Sequence, residues 1–294
     1  MKSITTDAAT AKAVADYYDG SWFDYRVVWL DRSNLAKHFG YWEDGIKSHS
    51  ESLLNMNRQV AARVDPKPGE RVLDAGCGIG GSSIWLAKNY GTTGVGISLA
   101  PKELERARKY AAERGVGAQL SFEKRDFLNT GFPDESFDIV WAQESVCHTL
   151  HKDVFLTEAF RVLKPGGRLV IEDWFRPRRP FSPADERLFS VWLEGWAIED
   201  IPTREEITSW ASAAGFTDVK LDDITPYMLK SARRLYAMTA ILYPGAVFLR
   251  WIRVRTAVLH ANLRSARLQW RAHRRDLWFA GILSAKKPSG QTTS

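Results

Sequence analysis

The chain predicts an open, doubly wound α/β sheet with helices on both faces and a helical cap over one edge. Three observations carry that expectation. Short apolar runs alternate with longer amphipathic stretches from residue 65 to about 175, the pattern of a parallel sheet with crossover helices. The run Arg71-Val-Leu-Asp-Ala75 passes directly into Gly76-Cys-Gly-Ile-Gly-Gly81 and then into Ser82-Ser-Ile-Trp-Leu-Ala87. That order reads as a strand, a tight glycine turn and a helix start, a site for a nucleotide-like ligand. Aromatic and basic residues, in contrast, gather in segments outside the alternating core.

Strands are expected at 71–75, 93–97, 119–124, 137–142 and 168–172, and helices at 81–89, 101–114 and 152–162. The run Phe137-Asp-Ile-Val-Trp-Ala142 is apolar enough for a buried strand. Residues 8–18 and 48–64 have helix-forming composition, and 66–69 ends that segment with proline and glycine. After the proline-rich stretch 176–183 a helix is expected at 185–196, with Phe189, Trp192 and Trp196 on related faces. A second helix at 203–214 opens on a capping box of Thr203 and Glu206 and stops at Gly215. A sixth strand at 216–222 and a last one at 277–286 are separated by some 50 residues of basic, aromatic, helical sequence, far longer than a hairpin loop. The expected division is an N-terminal cap segment at 1–64, a core at 65–175, a cap segment at 176–202, core at 203–224, a cap insertion at 225–275 and the last strand at 276–288.

Composition narrows the class. No run of about 18 uncharged apolar residues is present, so no membrane span is expected. The first residues lack a signal-peptide apolar region, and Cys77 and Cys147 are the only cysteines. A cytosolic protein without disulfides is the expectation. No HExxH, paired CxxC or metal-type acidic cluster occurs, so no resident metal is expected. The net charge of +6 is uneven, because no acid stands between Leu229 and Arg275 among eleven Lys and Arg residues. Such a stretch suits an anionic substrate, an anionic lipid surface, a nucleic acid or simply solvent.

The glycines Gly76, Gly78 and Gly81 fit G-x-G-x-x-G, which alone is weak evidence for a dinucleotide. A nicotinamide enzyme adds a ribose-binding acid about 20 residues on. Here the second strand ends in Ser98-Leu99-Ala100-Pro101, with no acid, while Asp74 precedes the glycines.

Four motifs in order, Val72-Leu-Asp-Ala-Gly-Cys-Gly-Ile-Gly-Gly81, Gly96-Ile-Ser-Leu-Ala-Pro101, Arg125-Asp-Phe127 and Arg161-Val-Leu-Lys-Pro-Gly-Gly-Arg-Leu169, resemble those of class I S-adenosylmethionine-dependent methyltransferases. The branch most similar holds sterol, tocopherol and prenyl diphosphate C-methyltransferases. The resemblance covers roughly residues 65–175 and implies a Rossmann-like, seven-stranded methyltransferase sheet. It implies that Asp74, Gly76 and Gly78 surround the amino-acid part of S-adenosylmethionine and that Ser98 and Leu99 reach the ribose. Asp126 would bind the adenine amino group beside Phe127, and Gln143 would stand near the sulfonium.

The acceptor site is expected to begin at Gln143-Glu-Ser-Val-Cys-His148, where ligands of open α/β sheets bind. Glu144 and His148 would share a helical face if the chain turns helical there. Sterol C-methyltransferases show a similar pair, which implies charge stabilisation and proton removal during methylation of an alkene carbon. The plain alternatives are a helix cap and a packed imidazole. Tyr25, His38, Tyr41, Trp42, Trp196 and Tyr227 would line an apolar acceptor pocket, and Arg233 and Arg234 would grip an anionic head group. The leading expectation is thus C-methylation of an isoprenoid such as a prenyl diphosphate. Magnesium would enter only with a diphosphate acceptor. N- or O-methylation of a small amine or phenol stands beside it. Binding to a nucleic acid is not expected, and weak contact with a membrane surface is a further alternative.

Overall fold

The computed structural model describes residues 4–6, 12, 34–251 and 256–290. Helix α1 (His49–Val64) opens on a capping box: Ser48 accepts the Glu51 amide, and Glu51 returns a bond to the Ser48 backbone. Its inward face buries Leu53, Met56 and Val60 against the sheet.

The core follows as β1 (Arg71–Ala75), α2 (Gly81–Tyr90), β2 (Thr93–Ser98), α3 (Pro101–Glu113), β3 (Leu120–Lys124), β4 (Phe137–Gln143), α4 (Lys152–Val162) and β5 (Leu163–Phe175). Then come α5 (Pro183–Glu194), α6 (Arg204–Ala213), β6 (Thr217–Asp223), α7 (Thr225–Trp251), α8 (Ala257–His273) and β7 (Phe279–Lys286). The seven strands lie in the order β3-β2-β1-β4-β5-β7-β6. β1 to β5 pair in parallel, and β7 runs antiparallel to both β5 and β6. This is the expected doubly wound α/β sheet. The order reverses between β1 and β4, so their carboxyl ends flank the crevice where such sheets bind ligands.

Two elements differ from the sequence expectation for local reasons. β5 begins at Leu163, because Leu163 pairs with Phe137 ahead of the Pro-Gly-Gly turn and the register then shifts. α5 begins two residues early and ends at Glu194, because Ser182 caps it by accepting the Asp185 amide at 3.2 Å and Gly195 follows.

One sheet face is filled by Phe137, Phe155, Leu156 and their neighbours under α4 and α6. The other face carries Trp141 and Trp174 under α1, the loop at 36–41 and the cap helices. β5 and β6 both finish at the same edge as β1 and β4, so α5 and the α7–α8 pair rise from that edge. Gly195 lets α5 meet α8, since a Cβ there would lie 2.1 Å from Ser265 Oγ. Among the described residues no helix is long and apolar enough to cross a membrane.

Candidate active site

The glycine loop is built as its sequence dictates. Gly76 has φ +96° and Gly78 φ +51°, both in the left-handed region that side chains avoid. A Cβ on Gly76 would lie 2.3 Å from Ser145 Cβ. The amides of Gly76 and Cys77 both donate to the Ile97 carbonyl at 3.0 Å, which folds the loop back on β2. α2 has Gly80 as its N-cap and no side-chain cap, so its first amides and the helix dipole face the crevice.

Asp74 is 3% exposed and accepts a 2.5 Å hydrogen bond from Ser83 Oγ. Burial raises its pKa to about 6, with the Ser83 contacts working the other way. A buried carboxyl poised in this way suits a cationic amino group, and the cradle suits the amino-acid end of S-adenosylmethionine. Cys77 is buried, and desolvation pushes its thiol well up, so it is packing and not a nucleophile.

The other positions that the resemblance names stand just at or past the ends of β2 and β3. Ser98 Oγ accepts the Ala100 amide at 3.1 Å, a turn role that leaves its hydroxyl proton for a ligand. Leu99 is half-buried beside it. Asp126 stands in its turn, with Oδ1 accepting the Leu128 amide at 2.9 Å. The same carboxylate accepts Thr6 N at 2.6 Å and Thr6 Oγ1 at 3.1 Å, so a short N-terminal piece lies across this turn. Phe127 packs edge-on to Phe155 at 5.4 Å. Glu103, 2% exposed, pairs with Lys37 near Gly78. Neither Thr6 nor that pair was foreseen, because each partner comes from the distant N-terminal segment and no local pattern marks it.

At the end of β4, Gln143 Oε1 accepts Ser82 Oγ at 2.9 Å and Trp141 Nε1 at 3.3 Å, tying β4 to the start of α2. Glu144 has φ +46° and its amide donates to the Glu172 carbonyl at 2.7 Å. Only one 3₁₀ turn follows, Val146–His148. The expected shared helical face of Glu144 and His148 is therefore corrected. Glu144 Oε1 accepts the Phe39 amide at 2.6 Å, whereas His148 Nδ1 meets the Ala197 carbonyl at 3.0 Å.

Glu144 joins a buried acid cluster that the sequence reading missed, with Glu172 and Asp173 on β5. Asp173 accepts the Cys147 and Trp174 amides at 2.8 and 2.9 Å, and burial raises it to about 6. Burial and mutual repulsion push Glu144 and Glu172 well above the usual carboxylate range. Glu172 is 0% exposed. His148 moves the other way, because burial lowers its pKa.

The cap residues are gathered unevenly. His38 is buried with Nδ1 on the Phe39 carbonyl at 2.9 Å, and burial lowers its pKa to about 4. Tyr41 stacks on Tyr227 at 4.4 Å and 10°, and burial raises its pKa to about 12. Trp42 donates to Ser231 Oγ at 2.8 Å under the Lys230 ammonium. These contacts fasten the 38–42 loop to the first turns of α7. Trp196 lies against Trp174 and Trp192, all nearly inaccessible. Trp196 is therefore core, together with Trp192, which corrects the expectation that Trp196 lines the pocket. Arg233 is exposed and Arg234 half-buried. Tyr25, with the expected helix at 8–18, lies outside the described residues. Among the described residues no group of three or more His, Cys, Asp or Glu is placed to hold a metal.

A doubly wound sheet with an uncapped helix start, a glycine cradle and a buried acid defines a nucleotide-cofactor enzyme of Rossmann-like build. A family model described as a methyltransferase domain matches residues 73–171. The methyltransferase GfsG of Streptomyces halstedii is 37% identical over 167 residues, which cover 56% of this chain and 59% of that protein. The chain thus spans under two thirds of that relative. A rice protein (Oryza sativa subsp. japonica) described as a chloroplastic tocopherol O-methyltransferase is 30% identical over 271 residues, covering 84% of this chain and 72% of that one. The 27-O-demethylrifamycin SV methyltransferase of Amycolatopsis mediterranei is 32% identical over 65% of this chain and 70% of its own. Among solved structures, the [4+2]-cyclase SpnF has a TM-score of 0.80 at 26% identity, covering 98% and 100% of the two chains. Geranyl diphosphate C-methyltransferase from Streptomyces coelicolor A3(2) has a TM-score of 0.72 at 16% identity, covering 95% and 97%, a likeness of fold alone. The chain belongs to the class I S-adenosylmethionine-dependent methyltransferases.

Proposed function

We propose that the chain methylates a hydroxyl oxygen of a lipophilic small molecule, with His148 as general base. The observation that carries this reading is the state of His148. A carbonyl only accepts, so Nδ1 must donate its proton to Ala197 O, which leaves the lone pair on Nε2. Burial lowers its pKa, which favours the neutral ring. It stands just past the end of β4, on the acceptor edge. When bound, S-adenosylmethionine supplies an activated methyl group. The protein's share is to hold that cofactor with Asp74, Gly76, Gly78 and Asp126, exclude water beneath the cap, and accept the hydroxyl proton on Nε2 as the oxygen attacks. The names of two relatives, a tocopherol O-methyltransferase of rice and the 27-O-demethylrifamycin SV methyltransferase of Amycolatopsis mediterranei, support the same chemistry.

Labelled-methyl transfer to a panel of phenols and alcohols, with the new bond located by NMR, tests this. His148→Ala should lower kcat on the order of a hundredfold and leave the cofactor Kd unchanged. Unchanged kcat in the variant sinks the base assignment. A product of unaltered mass would mean cyclisation instead, the reaction named for SpnF.

The buried cluster of Glu144, Glu172 and Asp173 favours a second reading, C-methylation of an isoprenoid. Methylating an alkene leaves a carbocation on the acceptor; Asp173, raised only to about 6, would supply negative charge to it, while the protonated Glu144 and Glu172 would supply dipoles. Arg233 and Arg234 at the base of α7 would then take a diphosphate, and magnesium would bind with it. The two readings part on one measurement, since the label sits on carbon in this case and on oxygen in the first.

A further inference from the structure

We propose that the distal half of α7 docks on an anionic lipid surface. The proximal half behaves as a core helix, burying Met228, Ala232 and Thr239. Beyond Thr239 the character changes. Ile241 is 80% exposed, Val247 44%, Phe248 56% and Trp251 77%. At 3.6 residues per turn these four fall within about 120° of one side of the helix, and Leu242, 46% exposed, stands on the other. Phe248 and Trp251 lie ring to ring at 6.1 Å, so the stripe is continuous where it ends. Large apolar side chains gathered on one exposed side are uncommon on a protein surface and mark a contact.

Charge identifies the contact. From Ile224 to Arg275 the chain holds eleven Lys and Arg and no acid, while the rest of the chain is net acidic. Arg250 is exposed beside the stripe. Two copies meeting through α7 would bring like charges together. A nucleic acid would lay phosphates against Ile, Phe and Trp, which cannot pair with them. An anionic lipid surface satisfies both features: headgroups meet the cations, and the apolar side chains enter the boundary beneath. The site is a surface contact and not a span. Its place also fits, because the other end of α7 carries Ser231 and Tyr227, which hold the 38–42 loop at the acceptor edge. The inference does not depend on which acceptor atom is methylated.

The test is co-sedimentation of the full chain with vesicles of phosphatidylcholine, with and without phosphatidylglycerol. The triple variant Ile241→Ser, Phe248→Ser, Trp251→Ser is compared with the parent, and cofactor Kd and thermal melting serve as controls of folding. Retention on the anionic vesicles only, weakened by salt, and reduced at least about tenfold in the triple variant is the expected result. Retention that is equal in the variant, or absent from anionic vesicles, overturns the proposal. So does a dimer in light scattering that the substitutions dissolve, or a nucleic-acid mobility shift in place of vesicle binding. If the triple variant melts early, the pair Ile241→Ser, Trp251→Ser at the two most exposed positions gives the same readout.

Discussion

Asp74 shows how one buried group sets a measurable behaviour. Its pKa is raised from 3.8 to about 6 by burial. A raised carboxyl favours the folded chain below the unfolded pKa, and that contribution is lost as pH rises through about 6. The cationic amino group of the cofactor prefers the ionised form, so cofactor binding should tighten as pH climbs through the same interval. Calorimetric titration on both sides of pH 6 should show this, and Asp74→Asn should flatten the profile; an unchanged profile would contradict the contact. Gly76 gives a sharper case. With φ +96° and a hypothetical Cβ 2.3 Å from Ser145, Gly76→Ala combines backbone strain with a clash. It should destabilise the chain by about 2 kcal/mol and abolish cofactor binding, read by thermal shift with and without S-adenosylmethionine. Both residues were legible in the sequence because a strand, acid and glycine turn are adjacent in the chain. Thr6 on Asp126 and Lys37 on Glu103 were not, since each bond joins segments far apart in sequence.

Helices were predicted best where their ends carry chemistry. The box of Thr203 and Glu206 marks the start of α6, and both of its hydrogen bonds form. Thr203→Ala should cost about 1 kcal/mol of stability in denaturant unfolding. The acceptor turn was predicted worst. Glu144 and His148 do not share a helix, because the Glu144 amide continues the β4–β5 ladder to Glu172 and its backbone then turns left-handed. The junction of the 38–42 loop with α1 and α7 was also invisible in sequence. A Cβ on Gly40 would lie 2.1 Å from Ser52 Oγ and 3.0 Å from Ser231 Oγ. Gly40→Ala should push that loop off its seat, raising the acceptor KM severalfold while the cofactor Kd stays put. Equal changes in both would show that the loop serves the whole crevice.

Across the whole molecule, Arg176 ties the cap to the sheet. It is 4% exposed, bonds Glu186 at 2.6 Å and Asp200 at 3.3 Å, and lies over Phe181 and Phe189 at 4.4 and 4.5 Å. Glu186 and Asp200 are partly exposed and Asp200 keeps Arg179, so what is lost is a buried guanidinium packed on two rings together with its charge-assisted bonds. Arg176→Ala should therefore destabilise the fold by about 2 kcal/mol, seen as a lower midpoint in urea. The sequence by itself determined the sheet, the order of its helices and the glycine turn after β1, because those rest on periodicity and on residues adjacent in the chain. Tertiary structure alone decided that Trp192 and Trp196 are core, that three carboxyls crowd one strand edge, and that the tip of α7 bares an apolar stripe. Burial and repulsion depend on which distant segments meet, and no local pattern records that meeting.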